Sequence, residues 1–477
     1  MFKRPGLVIA SIIAASVVVY LIGNGSVSLW DRDEPRYAQT SRQMLQSGDW
    51  VVPRLLDEVR TAKPVLIYWC QASAMSIFGD TDFAARLPSV IGMGLTLVVL
   101  GIFLYRAVDP DRAVLTVPIM ATAGLSIAAA KMCLTDAVLL FFVTIAQLCL
   151  SYLYCNKSIS NKFTWLTAIL MWTAIGFAGL TKGPVVLGVQ AMTMLVLLIL
   201  DWKTVRFRWW ISTKPLLGII IIAIICAPWL ILVHQREPDF LATIIGHDVV
   251  TRMTTGLEGH KGPPGYYLLT IWGTYFPWSL FLPIAMIHAW RNRQDARVRF
   301  ALAAVIGPWV MFEIVQTKLP HYLLPVFPAL AFLTADLFVS KKTPAKLSIG
   351  IGLAMLIVVA ITYGLVLPRI SDLRISPRIA QVLIDHQAIH PGDAIMIDYK
   401  ETSLAFYQGG TIRPQRENKF LETTSPDLWP AWIVLTGDIW STTPAEIKDR
   451  LDVIATVHGL NYADSMRTID VLVLHKR

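Results

Sequence analysis

The strongest constraint on this chain is a succession of about eleven apolar runs, beginning near Leu7, Phe83, Ala113, Leu134, Phe163, Val185, Leu216, Tyr266, Phe300, Tyr322 and Leu347. A hydrocarbon core about 30 Å thick is crossed by roughly 20 apolar residues in helical form, because a helix pairs its own backbone amides where no water can. Most of the runs approach that length. Of 477 residues, 55% are hydrophobic and 16% charged, whereas an ordinary soluble domain is about 25% charged. A disordered chain, a disulfide-rich module and a coiled coil are excluded on the same grounds. The expectation is a polytopic α-helical membrane protein.

Alternating the gaps between two sides of a membrane sorts the cations. One side receives Lys3/Arg4, Arg106/Arg112, Lys157/Lys162, Lys203/Arg206/Arg208/Lys214, Arg291/Arg293/Arg297/Arg299 and Lys341/Lys342/Lys346. Short basic loops of this kind mark the cytoplasmic face. The amino terminus is therefore expected inside, and the carboxyl-terminal segment outside with the first long loop. The net charge of +9 then records topology rather than nucleic-acid binding. Cys70, Cys133, Cys149, Cys155 and Cys226 lie in or beside apolar stretches without CxxC spacing, and read as small buried hydrophobes.

From these patterns residues 1–367 are expected to form the membrane domain, with outer loops at 25–82 and 234–264, and residues 368–477 a small outer α/β domain. In the latter, Asp393–Asp398, Ala431–Thr436 and Asp470–His475 read as buried strands, and Thr443–Leu451 as a helix with a Thr cap and Pro444 in its first turn.

Ionisable groups at membrane depth are costly, so those outside the basic loops carry the chemical interest. The densest group is Trp30-Asp-Arg-Asp-Glu-Pro-Arg-Tyr-Ala38, ahead of an amphipathic helix from Arg36 to Leu45. A solvated helix start explains these acids through the helix dipole, and a catalytic loop explains them equally. Further along, Gly48–Arg54, Thr61–Trp69 and Phe83–Ser89 have the Trp- and Tyr-ended composition of helices lying in the membrane interface.

Asp33-Glu34-x-Arg36-Tyr37-Ala38, Gly48-Asp49-Trp50, Lys63-Pro64-x-Leu66-x-Tyr68-Trp69, Phe83-Ala84-Ala85-Arg86-Leu87-Pro88, Leu134-Thr135-Asp136-Ala137, Gly179–Pro184 and Lys318-Leu319-Pro320-His321-Tyr322-x-x-Pro325 follow one another in order. With this set the chain resembles the bacterial aminoarabinose transferases of lipid A and their relatives, the protein O-mannosyltransferases. Tyr399-Lys400-x-x-x-Ser403-Leu404-x-Phe406-Tyr407 is similar to the start of that family's outer domain. The resemblance implies a GT-C fold and transfer of a sugar, with inversion, from a polyprenyl-phosphate carrier to a lipid or glycan acceptor such as lipid A.

By the resemblance, Asp33 is the base toward the acceptor hydroxyl, and Glu34 shares that role or orients the loop. Lys63, with Arg36, Tyr37, Tyr322 and Lys318, is aimed at the donor phosphate, where the leaving-group charge develops. Interfacial anchoring by snorkelling accounts for the same residue types. Asp136, Lys182, His260 and Arg252 are candidate substrate contacts; Asp136 serves equally as a helix cap, and His260 as an interfacial histidine. In the aminoarabinose transferases a glutamate before the motif lysine joins a histidine at zinc. Ala62 stands in that place here, which leaves fewer than the usual three protein ligands. No zinc site is expected, a different divalent cation stays open, and no cofactor is assigned. A protein mannosyltransferase is the alternative enzyme. A lipid or sugar transporter, the rival from another class, predicts mid-span charges and inverted repeats.

Overall fold

The computed structural model describes residues 3–156, 160–201, 208–244, 262–464 and 466–477. The chain forms two compact units: Met1–Ile22, Thr61–Cys70 and Arg86–Ala360 make the first, and Gly23–Arg60, Gln71–Ala85 and Ile361–Arg477 the second. The second unit thus takes in much of the 25–82 loop as well as the segment expected from 368 onward.

Among the described residues, six helices are long and apolar enough to cross a membrane: Asp82–Ala107, Asp136–Cys155, Asn161–Lys182, Trp209–Arg236, Pro320–Ser340 and Ala345–Arg369. Pro110–Thr122 and Gly124–Lys131, bent by 62°, make a seventh if counted as one span. At the bend Ala123 is extended, and the freed amide of Gly124 donates to the Phe276 carbonyl at 2.9 Å. Outward-facing Leu216, Ile219 and Ile224 are 77%, 66% and 68% exposed, as a lipid-solvated helix requires.

Every one of the expected apolar runs contains helix, but not every run is a single rod. The run from Tyr266 is divided into Tyr266–Thr274, a 3₁₀ turn at Trp278–Phe281 and Leu282–Arg291. Pro277 stands at the break, where it can supply no amide to continue the ladder. The runs near Leu7 and Val185 form shorter helices, Pro5–Leu21 and Val185–Leu200.

Helix Ala296–Ile314 packs against Val185–Leu200 with its backbone almost in contact. A Cβ placed on Gly307 would lie 2.5 Å from the Met192 carbonyl oxygen. Small residues permit such crossings in lipid, where packing rather than water exclusion drives helix association. Gly307→Val is expected to cost about 1–3 kcal/mol or more, read as a lower melting temperature in detergent. A variant that melts with the wild type would contradict this close approach.

The second unit holds a two-stranded hairpin, β1 (Arg54–Leu55) with β2 (Glu58–Val59), and a five-stranded mixed sheet. Its strands are β3 (Ala394–Ile397), β4 (Arg413–Pro414), β5 (Trp432–Thr436), β6 (Leu451–Asn461) and β7 (Arg467–Lys476), in the order β4-β3-β5-β7-β6. β3 runs parallel to β4 and β5, while β7 is antiparallel to β5 and β6. Both faces are covered. Met396, Val434 and Val473 meet Ile375, Ile379 and Leu383 on one side, and Ile397, Ile433 and Leu474 meet Leu421 and Trp429 on the other. That explains the continuous apolar runs of β3 and β5.

The three expected strands coincide with β3, β5 and the carboxyl-terminal half of β7. The helix expected over Thr443–Leu451 is reduced to one turn, Ala445–Lys448, and Leu451 opens β6 instead. Val453, Ile454, Thr456 and Val457 are β-branched, and pairing along β7 from Leu451↔Lys476 to Asn461↔Arg467 outweighs the local helix signal. Thr443 makes no cap; its hydroxyl donates to the Ile439 carbonyl.

Candidate functional site

Most of the described residues singled out by the sequence fall into two polar clusters, one in each unit. In the second unit the acidic motif opens helix Asp33–Ser47, which the positive-φ residue Gly48 ends. The helix packs on Thr402–Gln408: the buried Arg42 guanidinium donates to the carbonyls of Phe406 and Ala405 and to Gln39, and lies 4.8 Å from the centre of the Phe406 ring.

Within the motif, alternate sides of the helix start have different fates. The Asp33 side chain is 64% exposed, with the Arg36 guanidinium 3.9 Å away. Glu34 is wholly buried, and its Oε2 accepts the Trp30 amide at 2.8 Å, which closes the turn entering the helix. Tyr37 is also buried, under the Arg60 guanidinium at 5.2 Å. Asp33 and Arg36 are therefore the accessible members, while Glu34 and Tyr37 support the turn.

Behind this turn lies a network that the sequence reading did not assign. Asp31 Oδ2 accepts the Ser403 hydroxyl at 2.8 Å; Ser403 and Ser376 hydroxyls are 2.6 Å apart, and Ser376 is 2.8 Å from the Tyr399 hydroxyl. The Asp31 amide donates to Tyr462 at 3.0 Å, and Arg32 reaches Asp464 at 2.8 Å and Glu401 at 3.4 Å. Burial, reinforced by the negative charge of Glu401, pushes the Asp31 carboxyl up to about 7. Burial raises Glu401 as well. An open polar cavity of about 890 Å³ adjoins the network, lined by residues that include Arg32, Arg36, Lys400, Glu401, Asp464 and Arg467. The sequence signals for this network were the Trp30–Ala38 motif, which holds Asp31 and Arg32, and the Tyr399–Tyr407 motif.

In the first unit the cluster centres on Asp136, at the start of helix Asp136–Cys155. The cap position belongs to Thr135, whose side chain makes no capping bond, rather than to Asp136. Asp136 Oδ1 pairs with Lys182 Nζ at 2.7 Å, with both side chains largely buried. Lys182 also lies 5.1 Å from the centre of the Tyr322 ring, so helix Asn161–Lys182 and the 3₁₀ segment Pro320–Val326 meet at this lysine. Lys63 and His321 are close enough to act on Asp136 electrostatically. Lys63 Nζ donates to the Ala62 carbonyl at 2.7 Å. Lys318 is turned elsewhere, toward the Gly262 carbonyl at 3.3 Å and Glu313 at 3.9 Å. Glu313 in turn accepts the amides of Gly265 and Tyr267 at the start of helix Tyr266–Thr274.

His260 and Arg252 lie outside the described residues. Ala62 offers a methyl group in place of the family's glutamate, and among the described residues no three His, Cys, Asp or Glu side chains gather as a metal would require. Position 62 thus supplies no side-chain ligand to the zinc site that the resemblance implies.

The sequence of residues 8–244 matches the family described as dolichyl-phosphate-mannose-protein mannosyltransferase. An undecaprenyl phosphate-alpha-4-amino-4-deoxy-L-arabinose arabinosyl transferase of Serratia proteamaculans is 32% identical over 320 residues, 67% of this chain and 57% of that protein. Its counterpart in Yersinia enterocolitica is 31% identical over 322 residues, with the same coverage. The aligned part of the chain thus spans less than two thirds of these curated relatives. Among solved structures, ArnT from Cupriavidus metallidurans bound to undecaprenyl phosphate superposes with a TM-score of 0.78 at 20% identity, covering 99% of this chain and 98% of that one. An Archaeoglobus fulgidus oligosaccharyltransferase gives 0.56 at 10% identity, covering 89% and 69%. The ordered motifs, the helices, the small sheet and these likenesses agree: the chain has the GT-C fold, and its sequence is similar to the aminoarabinose and protein mannosyl transferases.

Proposed function

We propose that this protein is an inverting glycosyltransferase that moves a sugar from a polyprenyl-phosphate carrier to an envelope acceptor, with lipid A as the first candidate. The observation that carries the reading is the Lys182–Asp136 ion pair, with the Tyr322 ring against Lys182 and the Lys63 charge near enough to act on Asp136. Cations held in place by a carboxylate are suited to a phosphate dianion, because they need not reorganise as charge develops on the leaving group. A polyprenyl phosphate leaves without protonation, so one base suffices, unlike the two carboxylates of glycoside hydrolysis. Asp33, solvent-facing and beside Arg36, is the base in this scheme, and Glu34 orients it by holding the Trp30 turn. Eleven spans, a cytoplasmic amino terminus and an outer sheet unit complete the proposal, with the cation pattern of the loops as support.

The test is incubation of purified protein with labelled undecaprenyl-phosphate aminoarabinose and lipid A, followed by mass spectrometry of the lipid. Labelled lipid A of inverted anomeric configuration is expected. Transfer of mannose to protein instead would favour the mannosyltransferase alternative, and transport of the carrier without any transfer would sink the enzymatic reading.

The chemistry proposed here uses no zinc, since Ala62 contributes no side-chain ligand. Transfer is therefore expected to proceed unchanged after dialysis against EDTA. Loss of transfer that zinc alone restores would overturn this.

A further inference from the structure

No step above uses Asp31, yet it is the most closely held carboxyl of the acidic motif. Its Oδ2 ends a chain of hydroxyls in which Tyr399 can donate to Ser376, Ser376 to Ser403, and Ser403 to Asp31. Its amide is tied to Tyr462 in the β6–β7 turn, and the Trp30 ring meets the Tyr462 ring edge-on at 5.4 Å. Its Oδ1 is shut off from solvent without a hydrogen-bond partner among the described residues. An ionised carboxylate leaves that oxygen unpaired at a cost, whereas a neutral acid carries its proton there.

We infer that Asp31 is a positioning residue for Asp33, anchoring the Trp30–Asp33 turn to the Ser403–Ser376–Tyr399 hydroxyl chain and holding it most firmly as a neutral acid. The inference rests on the proposed role of Asp33. Burial and the negative charge of Glu401 favour the proton and outweigh the Ser403 hydroxyl and Arg32, which favour the carboxylate. Helix Ile375–Asp385 presents Ser376; the segment after β3 presents Tyr399 and Glu401; helix Thr402–Gln408 presents Ser403; and the β6–β7 turn presents Tyr462 and Asp464. Arg32, the nearby cation, is already shared between Glu401 and Asp464.

The sign follows from the raised affinity for a proton. The anchored turn binds it up to about pH 7, against 3.8 for a free carboxyl. Anchoring is therefore complete below the ordinary carboxylate range, weakens as pH rises through it, and is lost above about 7.

Hydrogen exchange of the full chain in detergent reads this directly, in peptides covering residues 28–36 at pH 5.5 and 8.5, with rates corrected for intrinsic chemistry. The wild type should exchange about 30-fold faster at the higher pH, because about 1.5 units of linkage lie between pH 5.5 and the midpoint near 7. Asp31→Asn should abolish that difference and remove the matching alkaline fall in kcat. Ser403→Ala should speed exchange at both values. A wild type without pH dependence, or an Asp31→Asn protein that retains it, overturns the inference. Because exchange is independent of catalysis, it still decides the anchoring role if Asp33→Asn remains active and the Asp33 assignment falls.

Discussion

Asp33→Asn should lower kcat by about 10²–10⁴-fold, the usual contribution of a positioned general base, with little change in KM for the polyprenyl-phosphate donor. The amide keeps the size of the carboxylate and removes only its basicity. Asp33 is 64% exposed and its one described ion pair, with Arg36, is at 3.9 Å. Surface pairs of this kind contribute about 0–1 kcal/mol, so the variant should fold and melt like the wild type. Glu34→Gln should behave in the opposite sense, because Glu34 is buried and accepts the Trp30 amide. It should lose stability before it loses chemistry. Full transfer by Asp33→Asn would remove the base from the mechanism.

The second large effect is expected at Lys182. Breaking a buried ion pair by removing one partner costs about 3–5 kcal/mol, mostly because the other charge is left uncompensated. Lys182→Met strands Asp136, whose side chain is only 8% exposed. It should therefore unfold far more readily in detergent and also lose transfer. Adding Asp136→Asn removes the stranded charge and should restore much of the melting temperature, while transfer stays low for want of the cation. This separation of stability from activity in the double variant distinguishes a phosphate-binding lysine from a purely structural one. If the double variant regains both, Lys182 serves only to neutralise Asp136.

How far the sequence could be read depended on the range of the interactions concerned. Apolar runs are local, so the positions of the helices were legible from Leu7 to Leu347. Breaks such as the one at Pro277, and the short helices at Pro5–Leu21 and Val185–Leu200, depend on packing that no single run reveals. β6 was missed because a Thr-Pro helix start is a local signal, whereas the pairing of Leu451–Asn461 with β7 is tertiary. At the site, Asp33 and Arg36 were identified with their accessibility intact. Glu34 and Tyr37 carried the same motif signal, yet burial gives them supporting roles. The pairing of Asp136 with Lys182 joins residues 46 positions apart, and the bond of Asp31 to Ser403 joins residues 372 apart. Neither separation leaves a periodic trace in a sequence.

That last separation also bears on how the protein is made. The turn that carries Asp33 emerges early from the ribosome, but Ser403, Tyr407 and Tyr462, which bind Asp31 and Leu29, are synthesised at the other end of the chain. At about 5–20 residues per second the motif waits ~20–90 s for these partners. During that interval the acidic turn lacks the partners that Ser403, Tyr407 and Tyr462 supply to it. Chains truncated before β3 should therefore leave the turn unanchored, read as fast hydrogen exchange in residues 28–36.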